Sequence, residues 1–162
     1  VVEICRKLDL NLAPTFVAFT PWTTLKTYLD FLKEIVHFDL ISRVPVVQYS
    51  LRLLVPRGSL MLDQGAFRGF VGSYRPDALS YAWNYRDPSV GAFEAEVGHA
   101  VETFVEARLP AADAFGELWR FVHKKNRLQA PTLPSNASFP LPGMSESWYC
   151  CSEPTKAQLS RL

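Results

Sequence analysis

Apolar positions recur at three-four spacing in three long stretches of the chain, and each stretch predicts a helix with one buried face. The first carries Leu25, Tyr28, Leu29, Leu32, Ile35 and Val36, with Lys26, Lys33 and Glu34 off the stripe. Thr23 or Thr24 stands just ahead of it and can cap its first turn. The second covers residues 88–108, with Val90, Phe93, Val97, Val101, Phe104 and Val105 on one side. Pro88 suits its start, where a missing N–H costs nothing. The third covers residues 111–128 after the break at Pro110, with Phe115, Leu118, Trp119 and Val122 as its stripe. Shorter helices are predicted at the start, where Val1, Ile4, Cys5 and Leu8 share a face, at residues 76–83, and at the end over residues 155–162.

Two segments follow another pattern. Residues 12–19 form a nearly unbroken apolar run, as a strand covered on both faces would. Pro14 removes a ladder donor and fits best near the strand start. Residues 44–55 alternate, with Val47, Tyr49, Leu51, Leu53 and Val55 pointing one way and Gln48, Ser50, Arg52 and Leu54 the other. Pro56-Arg57-Gly58-Ser59 ends this second predicted strand. Residues 63–76 read as a loop, with Gly65, Gly69, Gly72 and Pro76 as its breakers.

Helix, strand, helix, strand implies parallel pairing through a right-handed crossover. Two parallel strands are too few for a stable sheet or a closed barrel. The expected fold class is therefore α/β: a partial (β/α) barrel of about two parallel strands over residues 1–62, a mainly helical region over 63–130, and a Pro-rich connector with an extended tail and short helix over 131–162. If helices cover the apolar face of the second strand, its polar set faces the barrel interior. Arg52 then lies near the strand's C-terminal end, where barrel sites gather. It either holds a carboxylate or other anionic group, or faces water at the broken edge.

Composition narrows the function classes. Apolar residues make up 48% of the chain, enough for a globular core, and the net charge of +1 gives no nucleic-acid footprint. The short basic run Lys124-Lys125-Asn126-Arg127 complements a helix C-terminus. No apolar run approaches the about 20 residues of a membrane span. Val1 in place of an initiator Met reads as an engineered or processing boundary, and no secretory signal opens the chain. Three cysteines, two of them adjacent, make no disulfide framework, so a cytoplasmic setting is expected. Cys150 and Cys151 are candidate catalytic thiols, either redox groups, mixed-disulfide partners or soft ligands, or else two ordinary thiols. His37, His99 and His123 are scattered without metal-ligand spacing.

Leu12-Ala13-Pro14-Thr15-Phe16-Val17-Ala18-Phe19-Thr20-Pro21-Trp22-Thr23-Thr24 resembles the fifth strand and following turn of radical S-adenosylmethionine (radical SAM) barrels. Residues 47–59, ending in Pro56-Arg57-Gly58-Ser59, resemble the sixth strand. Trp148-Tyr149-Cys150-Cys151-Ser152-Glu153-Pro154 resembles the tail of a subgroup named for a terminal Cys-Cys-Ala-Glu-Pro motif, with Ser152 in place of Ala. The resemblance implies the C-terminal portion of a radical SAM enzyme of unassigned substrate. In the family a [4Fe-4S] cluster on a CxxxCxxC motif cleaves S-adenosylmethionine. Cys5, Cys150 and Cys151 cannot supply that motif, so no cofactor is expected in this chain and it is expected to be inactive alone. Thr20, Gln48, Ser50 and Arg52 carry over as barrel-mouth, substrate-binding candidates for a small molecule or peptide. The implied partner is the missing N-terminal barrel half, or a second copy through self-association. Two other readings stay open: a stand-alone structural or binding domain, and a thiol-redox module acting through Cys150 and Cys151.

Overall fold

Thr24 sets the start of the best-marked helix. Its backbone is extended, its hydroxyl accepts from the Thr27 amide, and the Thr27 hydroxyl accepts in turn from the Thr24 amide. This reciprocal cap satisfies two amides that a helix start leaves without partners. A computed structural model describes residues 1–8, 10, 12 and 14–134. Among them the helices are α1 (Val2–Lys7), α2 (Leu25–His37), α3 (Gly65–Arg68), α4 (Val90–Glu106) and α5 (Ala111–Lys125), with strands β1 (Val71–Arg75) and β2 (Ser80–Trp83). None of the helices is long and apolar enough to cross a membrane.

The core is built from the predicted helical stripes. Tyr28, Leu29, Leu32 and Ile35 of α2 are buried against Val90, Phe93, Val97 and Val101 of α4 and Phe115, Leu118, Trp119 and Val122 of α5. Phe19, Leu40, Val44 and Tyr49, from the segments around α2, join this cluster. At the far end of α5, the Asn126 side chain donates to the Leu25 carbonyl and to the Val122 carbonyl, tying that helix end to the start of α2. A smaller cluster of Val55, Phe67 and Trp83 sits beneath the hairpin formed by β1 and β2.

Five expectations are corrected. Residues 12 and 14–19 form no strand; Leu12, Phe16, Ala18 and Phe19 pack with the helices instead. Residues 44–55 form no continuous strand either. After Pro45 the chain winds into a 3-10 helix, Val46–Ser50, which breaks the expected two-residue alternation. Gln48 and Tyr49 are both buried, although they were expected on opposite faces. Residues 63–76 are not merely loop: they hold α3 and β1, with a second 3-10 helix, Leu60–Asp63, just ahead. Residues 76–83 are not a helix. Pro76 begins a turn that places Leu79 at φ 51°, and β2 returns antiparallel to β1 with Arg75 opposite Ser80. The sheet is thus a two-stranded antiparallel hairpin, and the described residues show no partial parallel barrel. The architecture is mixed: packed helices with one small sheet.

Parallel pairing survives at one point. Phe19 and Arg52 form an isolated parallel bridge on either side of α2. The Phe19 amide donates to the Leu51 carbonyl, and the Leu53 amide donates to the Phe19 carbonyl, each at 2.9 Å. Among the described residues this bridge has no ladder to extend, and the apolar side chains beside it pack against the helices instead.

The Tyr49 hydroxyl is buried without a hydrogen-bond partner. Burial also holds its phenol well above the ordinary tyrosine range. An unmade buried hydrogen bond costs about 1–3 kcal/mol. Tyr49→Phe is therefore expected to leave stability unchanged or raise it by about 1 kcal/mol, read as the urea midpoint. A loss of that size would show that a bound water pairs with the hydroxyl.

Candidate functional site

Arg52 reaches its surroundings from the parallel bridge. One Nη2–H donates to the Trp83 carbonyl at 2.7 Å, and the guanidinium lies 4.0 Å from the centre of the Trp83 ring. Trp83 is fixed in turn. Its indole N–H donates to the Leu53 carbonyl at 2.8 Å, and the Tyr85 ring meets it edge-on at 5.0 Å. Stacking on an indole suits the flat guanidinium and holds it without another charge.

Glu94 of α4 supplies the opposite charge. Its carboxylate accepts from the Tyr85 hydroxyl at 2.7 Å, while Arg52 Nη1 stands 3.7 Å away. A charge-assisted hydrogen bond is closer to about 2.7–2.9 Å. Each charge is thus held chiefly by a neutral partner: Arg52 by Trp83, Glu94 by Tyr85. Both side chains keep a route to solvent, at 30% and 21% exposure. Arg52 Nε is buried and makes no hydrogen bond.

The other predicted residues are placed differently. Gln48 is buried, and its Oε1 accepts from the Phe16 amide at 2.8 Å, bracing the 3-10 helix against the segment before α2. The Ser50 hydroxyl donates to the Val47 carbonyl inside the 3-10 turn. Thr20 belongs to the turn before α2, where the Thr23 Oγ1 accepts from its amide at 2.9 Å. Thr20, Trp22, Thr23 and Thr27 line an open groove of about 260 Å³. No hydrogen bond among the described residues joins Thr20, Gln48 or Ser50 to Arg52. Cys150, Cys151 and the expected helix over 155–162 lie outside the described residues.

Glu94, Tyr85 and Trp83 were not singled out from the sequence. Trp83 was hidden by the expected helix over 76–83, and Tyr85, two residues beyond it, has a ring that meets Trp83 only in the folded chain. Glu94 follows Phe93 at the edge of a good apolar stripe, where a carboxylate ordinarily faces water. Of the histidines, His123 is buried, with Nδ1 at 2.8 Å from the Trp119 carbonyl. Among the described residues no three His, Cys, Asp or Glu side chains gather as a metal site. Compared with known proteins, the chain matches no family profile, no curated protein and no solved structure.

Proposed function

We propose that this chain is the C-terminal portion of a radical SAM enzyme, furnishing part of a substrate-site wall and unable to generate the radical by itself. The observation that carries this reading is the parallel bridge between Phe19 and Arg52 with α2 between them. In a (β/α) barrel a helix joins two segments paired in parallel, and among the described residues that pairing is kept here at this single bridge; a ligand-facing residue belongs at the C-terminal end of such a segment. Arg52 lies on that bridge, and the Thr-rich turn directly follows its partner Phe19. The Cys-Cys tail adds to the reading through its sequence alone.

The described residues offer no seat for a four-iron cluster. Cys5 is the one cysteine among them, and a cluster of this class is held by several thiolates. The proposal therefore requires a second part. On α1 and at its two ends, Ile4, Val1 and Leu8 are exposed apolar side chains, which suits a face covered by the N-terminal half of a barrel or by a second copy.

Reconstitution of the chain with iron and sulfide under anaerobic conditions is expected to give no four-iron absorbance. The coding sequence upstream of Val1 is expected to contain CxxxCxxC, and the longer product to cleave S-adenosylmethionine when reduced. A stable four-iron spectrum from this chain alone, or an upstream region without that motif, overturns the proposal.

A further inference from the structure

The Arg52–Glu94 cluster carries a feature that an ordinary ion pair lacks. At 3.7 Å, Nη1 and the Glu94 carboxylate are adjacent without closing on each other. The guanidinium is fixed by the Trp83 ring and carbonyl, and the carboxylate by the Tyr85 hydroxyl. A cation and an anion are thereby pre-positioned side by side, each partly open to water. Their walls are the aromatic rings of Trp83 and Tyr85, which lower the local dielectric and strengthen polar contacts made there.

The charge arrangement selects among ligands. A simple carboxylate or phosphate approaching Arg52 meets Glu94 beside it and is repelled. A simple ammonium approaching Glu94 meets Arg52. A ligand carrying both charges close together is favoured by both. An α-amino acid has its ammonium one carbon from its carboxylate, which suits neighbouring groups rather than distant ones. We infer that Arg52 and Glu94 form a binding site for the zwitterionic aminocarboxylate group of a free amino acid or an amino-acid-bearing small molecule. The carboxylate accepts from Arg52 Nη1 at its open edge, and the ammonium donates to the Glu94 oxygen not engaged by Tyr85. The rest of the ligand extends toward solvent. A peptide of ordinary length is excluded as a two-charge ligand, because its amino and carboxyl ends are far apart.

The site stands on the described residues alone and does not depend on an upstream cluster, so its failure and that of the radical SAM reading are separately visible. The test is a titration of the full chain by NMR, following the Trp83 indole N–H, assigned by its loss in Trp83→Phe. The probes are glycine, acetate and methylammonium. Glycine is expected to shift the Trp83 signal saturably, and acetate and methylammonium to bind at least about tenfold more weakly. Glu94→Gln removes the anion but keeps the shape: glycine binding is expected to weaken about tenfold while acetate binding improves. Arg52→Lys keeps the charge without the planar fork and is expected to weaken glycine binding about tenfold. Should Arg52→Lys lose its helical circular dichroism, the Glu94→Gln exchange of preference decides alone. No saturable glycine shift, equal binding of glycine and acetate to the unmodified chain, or glycine binding indifferent to Glu94→Gln each overturns the inference.

Discussion

Phe19→Ala is expected to destabilise the chain by about 3–5 kcal/mol, the range for emptying a large aromatic site in a packed core. Phe19 is 0% exposed. Its ring stacks on Tyr28 at 5.0 Å and meets Phe93 edge-on at 6.0 Å, so its loss is felt in α2 and α4 together. The surroundings have little means to collapse into the space. Tyr28 is held in place by its own hydroxyl, which donates to the Tyr49 carbonyl at 2.7 Å. The Phe19 backbone also makes both hydrogen bonds of the parallel bridge, so a shift toward the cavity would strain that pairing. In a domain of this size such a loss lowers the melting temperature by on the order of 10 °C. Phe19→Leu, which leaves a smaller void, is expected to cost less than Phe19→Ala. A Phe19→Ala variant within about 1 kcal/mol of the unmodified chain, measured by urea denaturation, would mean that this ring does not join the helices.

Trp83→Ala is expected to have an effect of similar size, about 3–5 kcal/mol, by a different route. Trp83 is buried with Val55 and Phe67, under the hairpin rather than in the main core. Its removal empties that cluster, leaves the Leu53 carbonyl without the indole N–H, and takes away the surface on which Arg52 stacks. The guanidinium would then sit beside a void while its Nε is already unpartnered. Trp83→Phe separates these contributions. It keeps an aromatic ring but not the indole N–H, and is expected to cost about 1–3 kcal/mol, the range for leaving one buried acceptor unpaired. The order Ala worse than Phe, read from denaturation midpoints, checks the account. Equal losses would place the whole effect in the hydrogen bond and none in packing.

The helices were legible from spacing because their reason for folding is local plus one apolar face. The stripe of α2 places Tyr28, Leu29, Leu32 and Ile35 where three-four spacing puts them, and its Thr24 cap is a side-chain preference visible in one residue. The extended segments were less legible. An apolar run such as residues 12–19 states that the segment is buried, but not whether a neighbour offers a ladder, and a strand exists only with a neighbour. The alternation of residues 44–55 was real as a list of residue types, but the 3-10 turn after Pro45 changed which residues share a side. The hairpin escaped notice because Leu79 is an unusual occupant of a left-handed turn position, where Gly or Asn is the ordinary signal.

The site divides in the same way. Arg52 could be singled out because a basic residue in an apolar strand pattern demands a partner. The partner could not be named, because Glu94 lies 42 positions further along in the chain, in an element whose packing against the bridge is a tertiary fact. Gln48 and Ser50 show the opposite outcome. Both are polar residues in an apolar setting, and both are answered by nearby backbone, Gln48 by the Phe16 amide and Ser50 by the Val47 carbonyl. A buried polar side chain requires a hydrogen-bond partner, and main chain is its commonest source.

The side-chain hydrogen bond from Asn126 to Leu25 spans 101 positions, and the rings of Tyr49 and Phe115 also meet across a long stretch of chain. During synthesis, the apolar face of α2 therefore lacks its full cover until α5 has emerged from the ribosome. At about 5–20 residues per second, that leaves several seconds in which Tyr28, Leu29, Leu32 and Ile35 are available to other surfaces. Truncation anywhere before α5 would make that exposure permanent, so shortened products of this chain should be substrates for chaperones and proteases rather than smaller folded domains.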